Sequence, residues 1–133
     1  MTRINVIPVC ELSDQHLIAE YRELPRVIKQ DINIDNAPTC YTLGTGHMRW
    51  ARRHWQYTYE RFVAICNEMQ FRGFKTNFEP TSLLRYMDKC KNADSNYTVQ
   101  NNDIILNRTR IRAKYNIKPN FYRWTRRNKP NWL

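Results

Sequence analysis

A single helical stripe near the N-terminus sets the terms for the rest of the chain. Leu17, Tyr21, Leu24 and Ile28 recur at i, i+4, i+7 and i+11, the spacing of one helix face. Ser13 stands ahead of them as an N-cap, and Asp14 complements the helix dipole in the first turn. The helix is expected to run to about Ile28, with Pro25 removing one ladder hydrogen bond and kinking it. Gln15, Ala19, Arg22 and Arg26 fall on the opposite, solvent-facing side. Glu23 lies at the edge between the two, beside His16 and Glu20. In front of this helix, Arg3 to Leu12 reads as an extended arm, anchored by Val6, Ile7 and Val9, with Pro8 stopping it from starting a helix.

The stripe needs covering, and the remaining apolar patterns are also helical. Gly44-Thr45-Gly46-His47 leads into a long helix, about Met48 to Phe71, closed by Gly73 as a C′ glycine. Trp55, Tyr59, Phe62, Ile65, Cys66 and Met69 make its buried stripe. Thr81 or Ser82 caps a short helix through Lys89, and Asn92 to Asn96 is turn-like. A third long helix is expected from about Val99 to Lys114, with Ile104, Ile105 and Ile111 inward, although Asn101 and Asn102 weaken it. Gln30 to Leu43 is irregular, rich in the turn formers Asp31, Asn33, Asp35, Asn36 and Pro38. The expected fold is therefore all-α. It is one compact domain over residues 1–133, with about three main helices, an extended N-terminal arm and an irregular C-terminal tail.

Charge narrows the partner. The chain has 133 residues, with 22 Lys and Arg against 12 Asp and Glu, formally +10. That excess suits a polyanion, and many aromatics sit beside arginine, where they can stack on bases. From Arg108 to the C-terminus every charged residue is basic, including Arg110, Lys114, Arg123 and Arg127, interleaved with Tyr115, Phe121, Tyr122, Trp124 and Trp132. Arg49, Arg52 and Arg53 oppose the dipole preference of a helix start, which suggests an external compensating anion. No apolar stretch is long enough for a transmembrane span and no signal-peptide core is visible, so an intracellular protein is the default. Cys10, Cys40, Cys66 and Cys90 are scattered without a metal-ligand pattern and read as free thiols.

Two features of the first segment fit one chemistry. Thr2 follows Met1, and its small side chain favours removal of Met1 by an aminopeptidase. Its α-amine would then be partly neutral and nucleophilic at physiological pH, with a reference pKa of about 7.7–8.0 against about 10.4 for lysine. Tyr21-Arg22-Glu23-Leu24-Pro25-Arg26 sets a carboxylate between two arginines. These residues resemble the phage endonuclease V family, pyrimidine-dimer DNA glycosylases with abasic-site lyase activity. The resemblance rests on Thr2-Arg3-Ile4-Asn5, Glu11-Leu12, Asp14-Gln15-His16-Leu17 and the run Ala19 to Val27. It resumes at Gly44 to His47 and Arg72-Gly73-Phe74, and faintly at Lys118-Pro119 and Phe121 to Trp124. Where the family usually has a longer, basic segment after the first helix, this chain is shorter and carries Asp31 and Asp35.

The resemblance implies that the Thr2 amine attacks C1′ of the target sugar, displaces the base and forms an imine. Glu23 would stabilise the developing positive charge and assist proton transfer before β-elimination. Arg3, Arg22 and Arg26 would hold phosphates of damaged double-stranded DNA, and the backbone at Gly46 could approach one. His16 is either a core-edge histidine or a helper near the sugar. His47 and His54 are structural or phosphate-facing. Arg123 and its aromatic neighbours would help recognise the lesion. The enzyme would work as a monomer without a cofactor or metal. Rival readings are the same chemistry turned to another modified base, and a non-catalytic DNA-binding or bending protein on this scaffold.

Overall fold

The computed structural model describes residues 3–30, 33–77, 79–86 and 96–133. Among these the regular structure is all helical. A 3-10 turn (Val9–Glu11) precedes α1 (Asp14–Lys29), then come α2 (His47–Arg53), α3 (Trp55–Phe71), a second 3-10 segment (Pro80–Tyr86) and α4 (Asn101–Ile117). Thr2 lies outside the described residues, as does the segment through Lys89 expected to continue the short helix.

Helix α1 starts and packs as its sequence dictates. The Ser13 hydroxyl accepts the His16 amide at 3.1 Å, and Leu17, Tyr21, Leu24 and Ile28 are buried. Pro25 is buried within the helix, which continues to Lys29. α1 lies chiefly against α3, whose Phe62, Ile65, Cys66 and Met69 fill the centre of the core. Tyr21 stacks on Phe62 across this contact, with centroids 5.9 Å apart. Gly73 closes α3 at φ +84°, and the Phe74 amide reaches back to the Met69 carbonyl at 2.9 Å.

The expected single helix from Met48 to Phe71 is two helices. The chain breaks at His54, at φ −97° and ψ 54°. There the His54 backbone amide and ring Nδ1 both turn to the Trp50 carbonyl, at 3.1 and 2.8 Å. The break lets α2 lie across α1. Arg52, almost fully buried, donates to the Ile28 carbonyl in the last turn of α1. Arg53 donates to the Ala37 carbonyl at 2.8 Å and Arg49 reaches the Asp35 carbonyl at 3.4 Å. The compensation sought from an external anion is thus supplied by carbonyl oxygens of this chain, which removes the reason to seek an anion there.

The third long helix is also corrected. Its buried positions are Asp103, Asn107 and Ile111, at i, i+4 and i+8, so the inward stripe is mostly polar. Ile104 is half-buried and Ile105 is 62% exposed. The Asp103 carboxylate accepts the Gln100 amide at 2.9 Å and so tolerates Asn101 and Asn102 in the first turn.

The polar stripe has a purpose in the N-terminal arm. Ile4, Asn5, Val6 and Ile7 run extended through the interior with no neighbouring strand among the described residues. Their amides must therefore find side chains. His47 takes Ile4, Glu20 takes Asn5, and the Asn107 carbonyl oxygen takes both Val6 and Ile7, at 2.7 and 3.1 Å. Arg61 donates to the Ile7 carbonyl and pairs with Glu20 at 2.8 Å, both side chains being buried. Burial opposes the Arg61 charge, and the Glu20 carboxylate outweighs it and raises the guanidinium's pKa.

The C-terminal tail is irregular, yet it is strapped down. Thr125 donates its amide and hydroxyl to Asp14, Trp124 Nε1 donates to the Glu11 carbonyl at 3.0 Å, and Arg127 makes two bonds to Glu68. Glu68 and Asp14 are joined beneath the strap by buried Arg72, at 2.8 and 3.0 Å. Cys10, Cys40 and Cys66 are free thiols, the first two exposed.

Candidate nucleic-acid interface

Four segments meet around an open cavity of about 170 Å³: the arm, the first half of α1, the second half of α4 and the tail. Arg3 and Asn5 come from the arm, Gln15, His16 and Ala19 from α1, Arg110 and Lys114 from α4, and Phe121 and Tyr122 from the tail. Helical spacing explains the choice. Residues 107, 110, 111 and 114 share one side of α4, so burying Asn107 and Ile111 turns Arg110 and Lys114 toward the cavity.

The cavity is cationic, and no carboxylate stands among the described residues that line it. Burial lowers the pKa of Arg110, and the charge of Arg3 lowers it further. Lys114 is lowered by burial, then by Arg110 and Arg3. Cations that disfavour each other's charge are stabilised by an anion among them. His16 is held neutral at physiological pH: its pKa falls to about 4 through burial, and through Lys114 and Arg110. Its Nδ1 lies 2.8 Å from the Ser13 hydroxyl, and Tyr122 stacks on its ring at 5.0 Å, nearly parallel. Phe121 is 56% exposed at the rim, a face on which a base can stack.

Glu23 lies one turn beyond Ala19 and two turns beyond His16 on the same side of α1. It is half-buried and lines neither described cleft. Among the described residues no ion pair engages Glu23, Arg22 or Arg26. Arg22 and Arg26 are exposed and border a second cleft of about 250 Å³ with Tyr21, Pro25 and Lys29. Gln15 and Ala19, expected on the solvent side, face the first cavity instead. The Gln15 side chain also accepts the Arg123 amide at 3.1 Å. Arg123 is tied through its backbone, since its carbonyl accepts the Asp14 amide at 2.7 Å, and its side chain is exposed. Glu20, placed at the edge of α1 from sequence, is fully buried.

Gly46 caps α2 at φ +93°, and a Cβ there would sit 2.9 Å from Pro38 Cγ. The loop's polar groups are used internally: the His47 amide bonds to the Gly44 carbonyl at 3.1 Å, and the Gly44 amide reaches Thr42 Oγ1 at 3.4 Å. Conformation accounts for this glycine. His47 and His54 are buried rather than turned to phosphate.

A sequence profile described as pyrimidine dimer DNA glycosylase matches residues 1–81. The chain belongs to this family. The match takes in the arm, α1, α2 and α3, and stops before α4 and the tail. Family membership supports a DNA repair glycosylase with DNA as its substrate. Arg110, Lys114 and Tyr122, which complete the cavity around Arg3 and His16, lie beyond the matched residues. Tyr122 was signalled by the aromatic run Phe121 to Trp124, whereas Arg110 and Lys114 were hidden in a uniformly basic stretch, and the shared helix side of 107, 110, 111 and 114 was their one available signal. No helix among the described residues is long and apolar enough to cross a membrane.

Proposed function

We propose that the protein is a glycosylase for cyclobutane pyrimidine dimers in double-stranded DNA that also cleaves abasic sites. The nucleophile is the α-amine of Thr2, freed by removal of Met1. The observation that carries this reading is the convergence of Arg3, His16, Arg110 and Lys114 on one cavity, at the point where the chain leads back to Thr2. Consecutive α-carbons lie about 3.8 Å apart, so the amine is one peptide step from a residue that lines the cavity.

The chemistry follows from these groups. The amine lone pair forms a bond to C1′ while the glycosidic bond breaks and its electrons leave with the base. The amine nitrogen loses a proton, the sugar ring opens, and an iminium links Thr2 to C1′. Removal of a proton from C2′ then expels the 3′ phosphate. Glu23 stabilises the cationic sugar and moves the proton. Arg3, Arg110 and Lys114 hold the phosphate beside the reacting sugar. Arg22 and Arg26 hold the strand farther along α1, and Arg123 with Phe121 and Tyr122 meets the displaced bases. Neutral His16 offers a hydrogen bond near the sugar without adding a fourth charge.

Borohydride reduction fixes the iminium covalently and tests the whole scheme. Protein weighed intact, to establish that Met1 is gone, is mixed with a duplex bearing one thymine dimer and with an abasic duplex. An adduct with both, mapped to Thr2, is the expected result. An adduct with the abasic duplex alone moves the lesion to another base. No adduct with either, from protein that lacks Met1, refutes the chemistry and leaves a DNA-binding protein.

A further inference from the structure

The buried His47 ring is spent on the arm that leads to the cavity. Its Nδ1 lies 2.6 Å from the Thr42 carbonyl, which can only accept, so Nδ1 carries the proton. Nε2 therefore keeps its lone pair and accepts the Ile4 amide at 3.0 Å. The carbonyl of the same residue, Ile4, accepts the Tyr41 hydroxyl at 2.8 Å. One residue earlier, Arg3 Nε donates to the Leu43 carbonyl at 3.0 Å. The segment 41–47 thus grips the arm on both sides of Ile4.

We propose that His47 is a positioning residue that fixes where the chain's reactive end enters the cavity, through the Ile4 amide. This role rests on the Thr2 amine being the nucleophile. Deeper in the arm, Asn5, Val6 and Ile7 are held by Glu20 and Asn107, independently of His47. Loss of the Ile4 amide anchor therefore loosens the end, which Arg3 and Tyr41 still tie to residues 41–43, without releasing the arm. An amine displaced by about 1 Å from its attack geometry loses on the order of 100-fold in rate. Burial helps the ring serve as an acceptor by keeping it neutral, with its pKa lowered to about 4.

Two substitutions separate this role from a merely structural one. In His47→Asn the side-chain amide can still donate to Thr42 but offers nothing to Ile4. In His47→Gln an oxygen can occupy the place of Nε2 and accept the Ile4 amide. Single-turnover borohydride trapping on an abasic duplex should slow by about 10-fold or more in His47→Asn and stay within about threefold of wild type in His47→Gln. Duplex affinity should be unchanged in both, and hydrogen exchange at the Ile4 amide should accelerate in His47→Asn alone. Equal trapping by wild type and His47→Asn overturns the role, as do rates that merely follow the melting temperatures of the two variants. A wild-type protein lacking Met1 that gives no adduct overturns the proposed chemistry itself, and the role with it.

Discussion

Glu23 has an arginine beside it and another three residues on, and it is paired with neither. A surface pair would contribute only about 0–1 kcal/mol in any case. Glu23→Gln should therefore leave the melting temperature nearly unchanged while abolishing strand cleavage at abasic sites; thermal melts and a gel-based nicking assay on one preparation check both. Gly46 behaves in the opposite way. Gly46→Ala forces a Cβ against Pro38 at positive φ and should destabilise the fold by about 1–3 kcal/mol, read from urea unfolding. His47 gives a pH signature. The unfolded chain protonates this ring near pH 6.5, whereas burial delays protonation in the folded protein to about pH 4. The stability gained from its neutral form is present above pH 6.5 and is lost as pH falls toward 4, up to about 3 kcal/mol. The stability gap between wild type and His47→Asn should therefore narrow over that range, measured by chemical denaturation at several pH values.

At the scale of elements, what could be read beforehand depended on whether an element was buried by apolar residues. α1 was legible because Leu17, Tyr21, Leu24 and Ile28 carry its burial. α4 was expected at about its place, with Ile111 inward, but the rest of its inward face was misread because Asp103 and Asn107 occupy it, and no hydrophobic pattern announces a face that meets the core with an amide. The break at His54 has no proline or glycine beside it, since Arg53 and Trp55 flank it; what marks it is the His54 ring closing on the Trp50 carbonyl, which no sequence pattern announces. The strap over Asp14 and Glu68 looked like a loose tail because its partners lie more than fifty residues away in sequence. Its two ends differ in consequence. Glu68→Gln weakens one of the two ion pairs of fully buried Arg72, which keeps Asp14, and should lose about 1–3 kcal/mol. Arg127→Ala removes an exposed partner, screened by solvent, and should cost much less than Glu68→Gln. Parallel denaturant titrations distinguish the two.

For the whole molecule, the +10 balance is partly absorbed inside, where Arg52, Arg61 and Arg72 are buried on carbonyls and carboxylates. The cations that border the two clefts, with the exposed side chain of Arg123, are those proposed to meet DNA. Arg3, Arg22, Arg26, Arg110 and Lys114 together predict that log affinity falls with log salt at a slope of about −4 to −5, and Arg110→Ala should reduce that slope by about 1. Fluorescence anisotropy across a salt series measures both. Of the cavity's lining, Arg3 and His16 were legible in the first block of residues, whereas Arg22, Glu23 and Arg26 lie outside it. The α4 half was not, because it is the arm threaded through the interior that turns Asn107 inward and carries Arg110 and Lys114 to the cavity.

That threading has a consequence in time. The arm is the first segment to be synthesised, yet the side chains that satisfy its amides lie at positions 20, 47 and 107. At about 5–20 residues per second, roughly 5–20 s pass between the appearance of Val6 and that of Asn107. Throughout that interval the arm has no finished interior to enter. Any removal of Met1 is best done while the polypeptide is still being made, before the last contacts close over Ile4 to Ile7.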